Sequence, residues 1–189
     1  IPGTLAVVLL LARLQEREAA RGAGGSKFNF RSAWTEMPTG FRKYLLIILI
    51  FTLGNSTDAF LLVRAQKLGV PIALLPTIWV ALHVVKMAFS VPGGMLSDRL
   101  GRKRVIVAGW VVYAFVYAGF AFASRQWHIW ALFAIYGIYF GLTESVEKAL
   151  VADLAPAHLR GSAFGLYHLT VGIGAFPASL LFGLVWERV

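Results

Sequence analysis

Gly94-Met95-Leu96-Ser97-Asp98-Arg99-Leu100-Gly101-Arg102-Lys103-Arg104 is a short charged segment set between two long apolar runs. Its glycines permit a tight reversal, Asp98 can accept hydrogen bonds from a helix N-terminus or pair with an arginine, and the basic cluster anchors the segment in water. Such a reversal between greasy segments is read as a loop at one face of a membrane. The rest of the chain bears this out in composition. It has 189 residues, of which 58% are hydrophobic and 14% charged, with a mean hydropathy of +0.71. A soluble domain is roughly 45–50% apolar and about 25% charged. With 18 basic and nine acidic residues, the chain has too few charges to cover a water-facing surface, so lipid must do part of the solvating.

On either side of the segment, apolar runs of about 20 residues, enough to cross roughly 30 Å of hydrocarbon, occur at residues 44–63, 72–95, 105–123, 129–150 and 161–186. The expected fold class is an all-α membrane bundle. A shorter apolar run over residues 1–13 reads as the end of a preceding transmembrane helix, because no basic segment comes before it as a secretory signal would need. Residues 14–43 read as a linker between membrane halves, with a flexible Gly22-Ala23-Gly24-Gly25-Ser26 stretch. Within it Phe28, Phe30, Trp34 and Met37 alternate with polar residues, as in a segment lying on the bilayer surface or an irregular loop. Residues 44–189 then form the transmembrane half.

Charge sorts the loops by side. Lys and Arg number 13 in the linker with Arg13 just before it, in 98–104 and in 148–160, against four (Arg64, Lys67, Arg125, Arg188) at the opposite ends, with Lys86 inside a span. The positive-inside rule puts the linker and the 96–104 loop in the cytoplasm, and Trp127, Trp130 and Trp186 at the opposite aromatic belt. The net charge of +9 is thus a topology signal, and no nucleic-acid partner is expected. The absence of cysteine excludes disulfides, thiolate metal sites and cysteine nucleophiles.

The 94–104 segment closely resembles the G-x-L-x-D-R-x-G-R-[KR] signature of the major facilitator superfamily. Asp153-Leu154-Ala155-Pro156-Ala157-His158-Leu159-Arg160-Gly161 resembles that family's acidic-x-x-Pro-x-x-x-Arg-Gly element in the next cytoplasmic loop. The resemblance implies a twelve-helix transporter of nested repeats. With a long basic linker ahead of the signature, it implies that this chain holds the end of the sixth helix and the seventh to eleventh helices, lacking the twelfth and the first half. It also implies that Gly94, Asp98, Arg99, Gly101, Arg102, Asp153 and Arg160 form a cytoplasmic gate motif whose charged members make a salt-bridge network. Gly172, Gly174 and Pro177 stand where antiporters of the family carry a Gly-Pro element in the other half, but the spacing differs and the residues imply only local flexibility or a kink.

An ionisable group at membrane depth costs at least about 2.5–3.5 kcal/mol and should face protein or water. The 105–123 run has none, and is expected to be a lipid-facing outer helix, as the ninth helix is in the family. The other four runs should surround a pathway. Asn55 and Asp58 share a face at i, i+3. His83, Lys86 and Ser90 form one stripe, Glu144 is followed by Glu147 and Lys148, and His168 lies in the last span. Counting rise per residue puts Lys86, Glu144 and His168 at similar depth. Lys86 and Glu144 are candidates for a dynamic pair that substrate or a proton opens, or for a permanent structural one. Glu147 and Lys148 are expected to pair structurally with Arg102 and Arg160. Gly137-x-x-x-Gly141 and Gly161-x-x-x-Gly165 are expected to let helices approach closely.

The substrate or coupling pathway is thus expected to contain Asn55, Asp58, His83, Lys86, Glu144 and His168. The function expected is secondary-active transport of a small solute by alternating access, with a proton as coupling ion and lipid and the first half of the transporter as partners. No metal or other cofactor is expected, because no ligand pattern is present. Two rivals stand beside it: a membrane-embedded enzyme using Glu144, Asp58 or His168 as acid or base, and a transporter-like scaffold or sensor that moves nothing. The plasma (inner) membrane is the expected location.

Overall fold

Long apolar runs in lipid satisfy every backbone polar group internally only as helices, and the computed structural model of the chain is built from helices. It describes residues 34–55 and 58–188, the last four of these by backbone alone. The apolar stub, most of the linker including Phe28 and Phe30, Ser56, Thr57 and the Trp186 side chain lie outside the described residues. In chain order the elements are α1 (Thr39–Leu53), α2 (Ala59–Lys67), a 3-10 turn at Ile72–Leu74, α3 (Leu75–Leu100), α4 (Arg102–Phe122), α5 (Gln126–Leu154), a second 3-10 turn at Ala157–Leu159 and α6 (Arg160–Arg188). Four of the expected spans are helices long and apolar enough to cross a membrane.

The first span is different. The run over 44–63 is not one helix but two, because α1 stops at Leu53 and α2 starts at Ala59. Gly54 closes α1, its N–H reaching back to the carbonyls of Ile50 and Phe51. Gly and Asn are poor helix residues, Gly through backbone entropy and Asn because its side chain bonds elsewhere. Here the Asn55 side chain accepts the Tyr113 hydroxyl at 2.7 Å. Non-helical backbone at membrane depth is tolerated only inside protein or beside a cavity.

The 94–104 segment also folds otherwise than expected. It is not a loop bounded by two glycines: α3 continues through Pro92 and Gly94 to Leu100, and the chain reverses at Gly101 alone, at φ 91°. Asp98 and Arg99 therefore sit on the last turn of a helix that outruns its apolar stretch. Likewise α6 passes through Pro177 as a continuous helix.

Both α3 and α4 pack chiefly on α5, and α1 packs on α6. Small residues set these approaches. A Cβ on Gly137 or Gly141 would lie 2.7 Å from the Leu82 or Lys86 carbonyl oxygen of α3, and one on Gly93 would lie 2.8 Å from Leu142 Cα. Gly161 and Gly165, by contrast, face open space, so the second glycine pair makes no close helix contact among the described residues. Spacing alone marks a smooth face and cannot say whether a neighbour uses it.

Two apolar clusters hold the bundle. One gathers Met37, Phe41 and Tyr44 with Val146, Val151 and Tyr167; the other gathers Ile78, Leu82 and Phe120 with Ile129, Phe133 and Tyr136. At the end of the second cluster, Arg64 donates to the Ala123 carbonyl at 3.1 Å. Large apolar side chains also cover the outside, such as Phe115 and Phe122 on α4, 74% and 85% exposed. Such a surface matches hydrocarbon rather than water.

Candidate functional site

Interrupting α1–α2 frees two polar side chains at mid-span, and both turn toward a partly enclosed cavity of about 480 Å³ between α1, α5 and α6. Asn55 and Asp58 line it from the break, with Phe51 and Thr52 from α1, Tyr139, Phe140, Glu144 and Glu147 from α5 and Tyr167 and Ser179 from α6. Tyrosines fasten the break from behind. Tyr113 and Tyr117 of α4 donate to Asn55 Oδ1, and Tyr136 of α5 donates to Asp58 Oδ1 at 2.6 Å. Their rings contact one another, so the break is gripped by a packed aromatic layer.

Lys86 and Glu144 meet as an ion pair across α3 and α5. The second Glu144 oxygen takes a hydrogen bond from Lys148 one turn on, at 2.8 Å. Lys86 Nζ also lies 5.3 Å from the Phe140 ring centroid, near enough for a cation–π contact. The approach of α3 to α5 at Gly141 is what brings this lysine within reach.

Glu147 does not join the loop arginines. It is held by the Trp110 indole N–H on one oxygen and the Tyr167 hydroxyl on the other, both at 3.0 Å. Because α5 runs on to Leu154, Glu147 lies about two turns inside its end and out of reach of Arg102 and Arg160. Lys148, expected to pair there too, is taken by Glu144.

Neither histidine reaches the cavity. His83 is exposed, its Nδ1 2.9 Å from the Trp79 carbonyl of its own helix, beside a shallow apolar groove with Val80, Val84 and Met87. His168 is exposed on α6, although Tyr167 before it points inward. Rise per residue fixes depth, but one residue turns a helix by about 100°, which separates His168 from Glu144 despite equal depth. Helix α3 as a whole contributes no lining residue and reaches the site only through Lys86. Helix α4, expected to be an outer helix, exposes Val107, Val111 and Phe115 on one side, yet its other side supplies Trp110, Tyr113 and Tyr117. Sequence reading missed these, and one signal was available: a buried Tyr or Trp normally finds a partner for its O–H or N–H.

At the far end of α3, Arg102 bridges two acids, with Nε 2.9 Å from Asp153 and a terminal nitrogen 2.9 Å from Asp98. The same terminal nitrogen donates to Ser97 Oγ, which itself donates to the Gly94 carbonyl. Arg102 thus ties the α3–α4 corner to the end of α5. Arg99 and Arg160 are exposed and take no part in this cluster among the described residues, so the five-charge network expected from the sequence narrows to three. These pairs are exposed, and each is worth at most about 1 kcal/mol.

The family model of the Major Facilitator Superfamily matches residues 1–185. The chain belongs to this superfamily. Among its relatives, an uncharacterized MFS-type transporter of Methanocaldococcus jannaschii is 36% identical over 172 residues, which are 86% of this chain and 42% of that protein. The multidrug resistance protein MdtH of Klebsiella pneumoniae is 31% identical over 99 residues, 52% of this chain and 25% of that protein. A Na(+), Li(+), K(+)/H(+) antiporter of Planococcus maritimus is 31% identical over 113 residues, 55% of this chain and 26% of that protein. The chain spans less than half the length of each of these relatives. With this membership and four membrane-length apolar helices, it is an integral, multi-pass membrane protein. In this superfamily chain the signature residues Gly94 to Arg102 are the end of one helix, a one-residue reversal and the start of the next.

Proposed function

We propose that the chain is the second membrane half of a secondary-active transporter, moving a small solute by alternating access with a proton as coupling ion. One observation carries the reading: the only span interrupted among the described residues is interrupted where Asn55 and Asp58 enter a cavity whose wall also holds Glu144, ion-paired to Lys86. Broken helices at membrane depth are where transporters place their binding sites. On this reading Asn55, Asp58, Lys86 and Glu144 form the pathway. Residues 1–13 are the end of a preceding helix, residues 14–43 a cytoplasmic linker to the first half, and 44–189 the second half, in the plasma membrane. A membrane enzyme finds less support, since among the described residues no Ser or Thr of the cavity lining is hydrogen-bonded to a histidine or carboxylate base.

The test is proton flux on addition of candidate solutes to vesicles containing the full-length protein. Solute-dependent flux is expected. Chemical conversion of a solute would support the enzyme instead, and neither flux nor conversion would support a scaffold.

The Asp98–Arg102–Asp153 cluster is read as a cytoplasmic gate, made in one state and exchanged in the other. Asp98→Asn is expected to lower the transport rate severalfold while leaving the amount of folded protein in membranes within about a factor of two, since exposed pairs contribute little to stability. Equal loss of both would make the cluster structural.

A further inference from the structure

The cavity has a composition that transport alone does not require. Three carboxylates line it, Asp58, Glu144 and Glu147, with four aromatic rings, Phe51, Tyr139, Phe140 and Tyr167. Among the described residues, none of the lining side chains is basic.

The carboxylates are not equivalent. Glu144 is met by two ammonium groups, those of Lys86 and Lys148. Asp58 and Glu147 take their hydrogen bonds from neutral donors: the Tyr136 hydroxyl for one, the Trp110 indole and the Tyr167 hydroxyl for the other. Such donors orient an anion and solvate it without bringing a charge. His83 and Lys86 act on Asp58, and Lys148 on Glu147, only from beyond ion-pair distance among the described residues, both lysines being paired to Glu144, and a carboxylate in low-dielectric surroundings stays costly until a cation meets it directly. Aromatic rings line the cavity beside them, and such rings attract cations more strongly away from water. A volume of about 480 Å³ lies in the range of small-molecule sites, roughly 300–1,000 Å³. The acids do not converge as a three-ligand set for a metal among the described residues, and four rings share their cavity, so the lining suits a bulky cation better than a bare ion.

We propose that this cavity takes a monovalent organic cation with an apolar body, its charge met by Asp58 and Glu147 and its body held by the rings of Phe51, Tyr139, Phe140 and Tyr167. The proposal rests on the transport reading and names its substrate class. It also separates two roles in one wall: Glu147 and Asp58 bind, while the Lys86–Glu144 pair belongs to the rearrangement.

The experiment is equilibrium dialysis of the full-length protein in detergent against tetraphenylphosphonium, with tetraphenylborate, an anion of the same shape, as competitor. Saturable binding of the cation, uncompeted by the anion, is expected. Glu147→Gln and Asp58→Asn are each expected to weaken it at least tenfold, and Glu144→Gln by less than threefold. Equal binding of both ions, or unchanged binding in both Glu147→Gln and Asp58→Asn, would overturn the proposal. If those variants do not fold, the comparison of the two ions on the unaltered protein decides. Absence of cation binding alongside solute-dependent flux of a neutral or anionic compound would sink the substrate class and leave transport standing. Saturable cation binding without flux of any solute would do the reverse.

Discussion

Gly141→Leu is expected to cost the full-length protein more stability than any other single glycine substitution in α5 or α6. A Cβ at this position would sit 2.7 Å from the Lys86 carbonyl oxygen and 2.7 Å from Phe89 Cβ, distances that neither backbone nor a branch-point carbon can relieve without moving α3. Overpacking a well-filled interface by even a few methylenes costs about 1–3 kcal/mol, and here the displaced element is a whole helix. Because Lys86 is itself on the displaced turn, the ion pair to Glu144 should open as well, and activity should fall further than stability. Gly165→Leu is the matched control, since that glycine faces open space and its replacement removes only the helix penalty of glycine, about 1 kcal/mol. Thermal unfolding midpoints in detergent measure both. A Gly141 variant as stable as the Gly165 variant would mean that the α3–α5 contact is looser than the structure has it.

Glu144→Gln is expected to lower solute transport at least tenfold while the protein remains folded. The substitution keeps the shape but leaves the ammonium groups of Lys86 and Lys148 facing a neutral amide. Both members of the pair are partly exposed, with side chains 29% and 36% accessible, so solvent screens the loss and folding should survive it. A Lys86→Gln/Glu144→Gln double variant separates the two roles left open by the sequence. If the pair is permanent scaffolding, neutralising both partners removes the conflict and restores transport. If it must open and close during the cycle, the double variant stays inactive though folded. The measurement is initial flux in vesicles against the amount of folded protein.

Much of the fold was legible because lipid imposes a simple demand. A run of about 20 apolar residues has no alternative to a helix in hydrocarbon, and four such runs became helices whose ends lie within a few residues of the apolar boundaries. The exceptions have causes. Helices α3 and α5 extend past their apolar runs because a helix can continue into water, so the charged signature became a helix end rather than a loop. The first run broke at Gly54 and Asn55, where hydropathy is blind to a local exchange of backbone bonds for the tyrosine hydroxyl that holds Asn55.

The candidate site was legible in part. Asn55, Asp58, Lys86 and Glu144 were found because an ionisable or strongly polar residue in an apolar run stands out. Glu147 was noticed for the same reason but given the wrong partners, and Trp110, Tyr113, Tyr136 and Tyr167 went unnoticed because aromatic residues in an apolar run look like core. His83 was grouped with the pathway by the stripe it shares with Lys86, and His168 by depth, and neither spacing along a helix nor depth says which way a side chain faces.

By itself the sequence determined the medium, the number of apolar runs and the gathering of basic residues at alternate ends of those runs, along with the family whose signature residues 94–104 carry. These depend on summed hydropathy, charge count and local order, all additive along a chain. Tertiary packing alone decided that Lys86 meets Glu144 while His168 does not, that Arg102 takes Asp98 and Asp153 while Arg99 and Arg160 stand apart, and that an outer helix lends its tyrosines to an inner break. Those outcomes turn on the rotation of each helix about its axis and on how closely glycines let two axes approach, and neither is a property of any one segment.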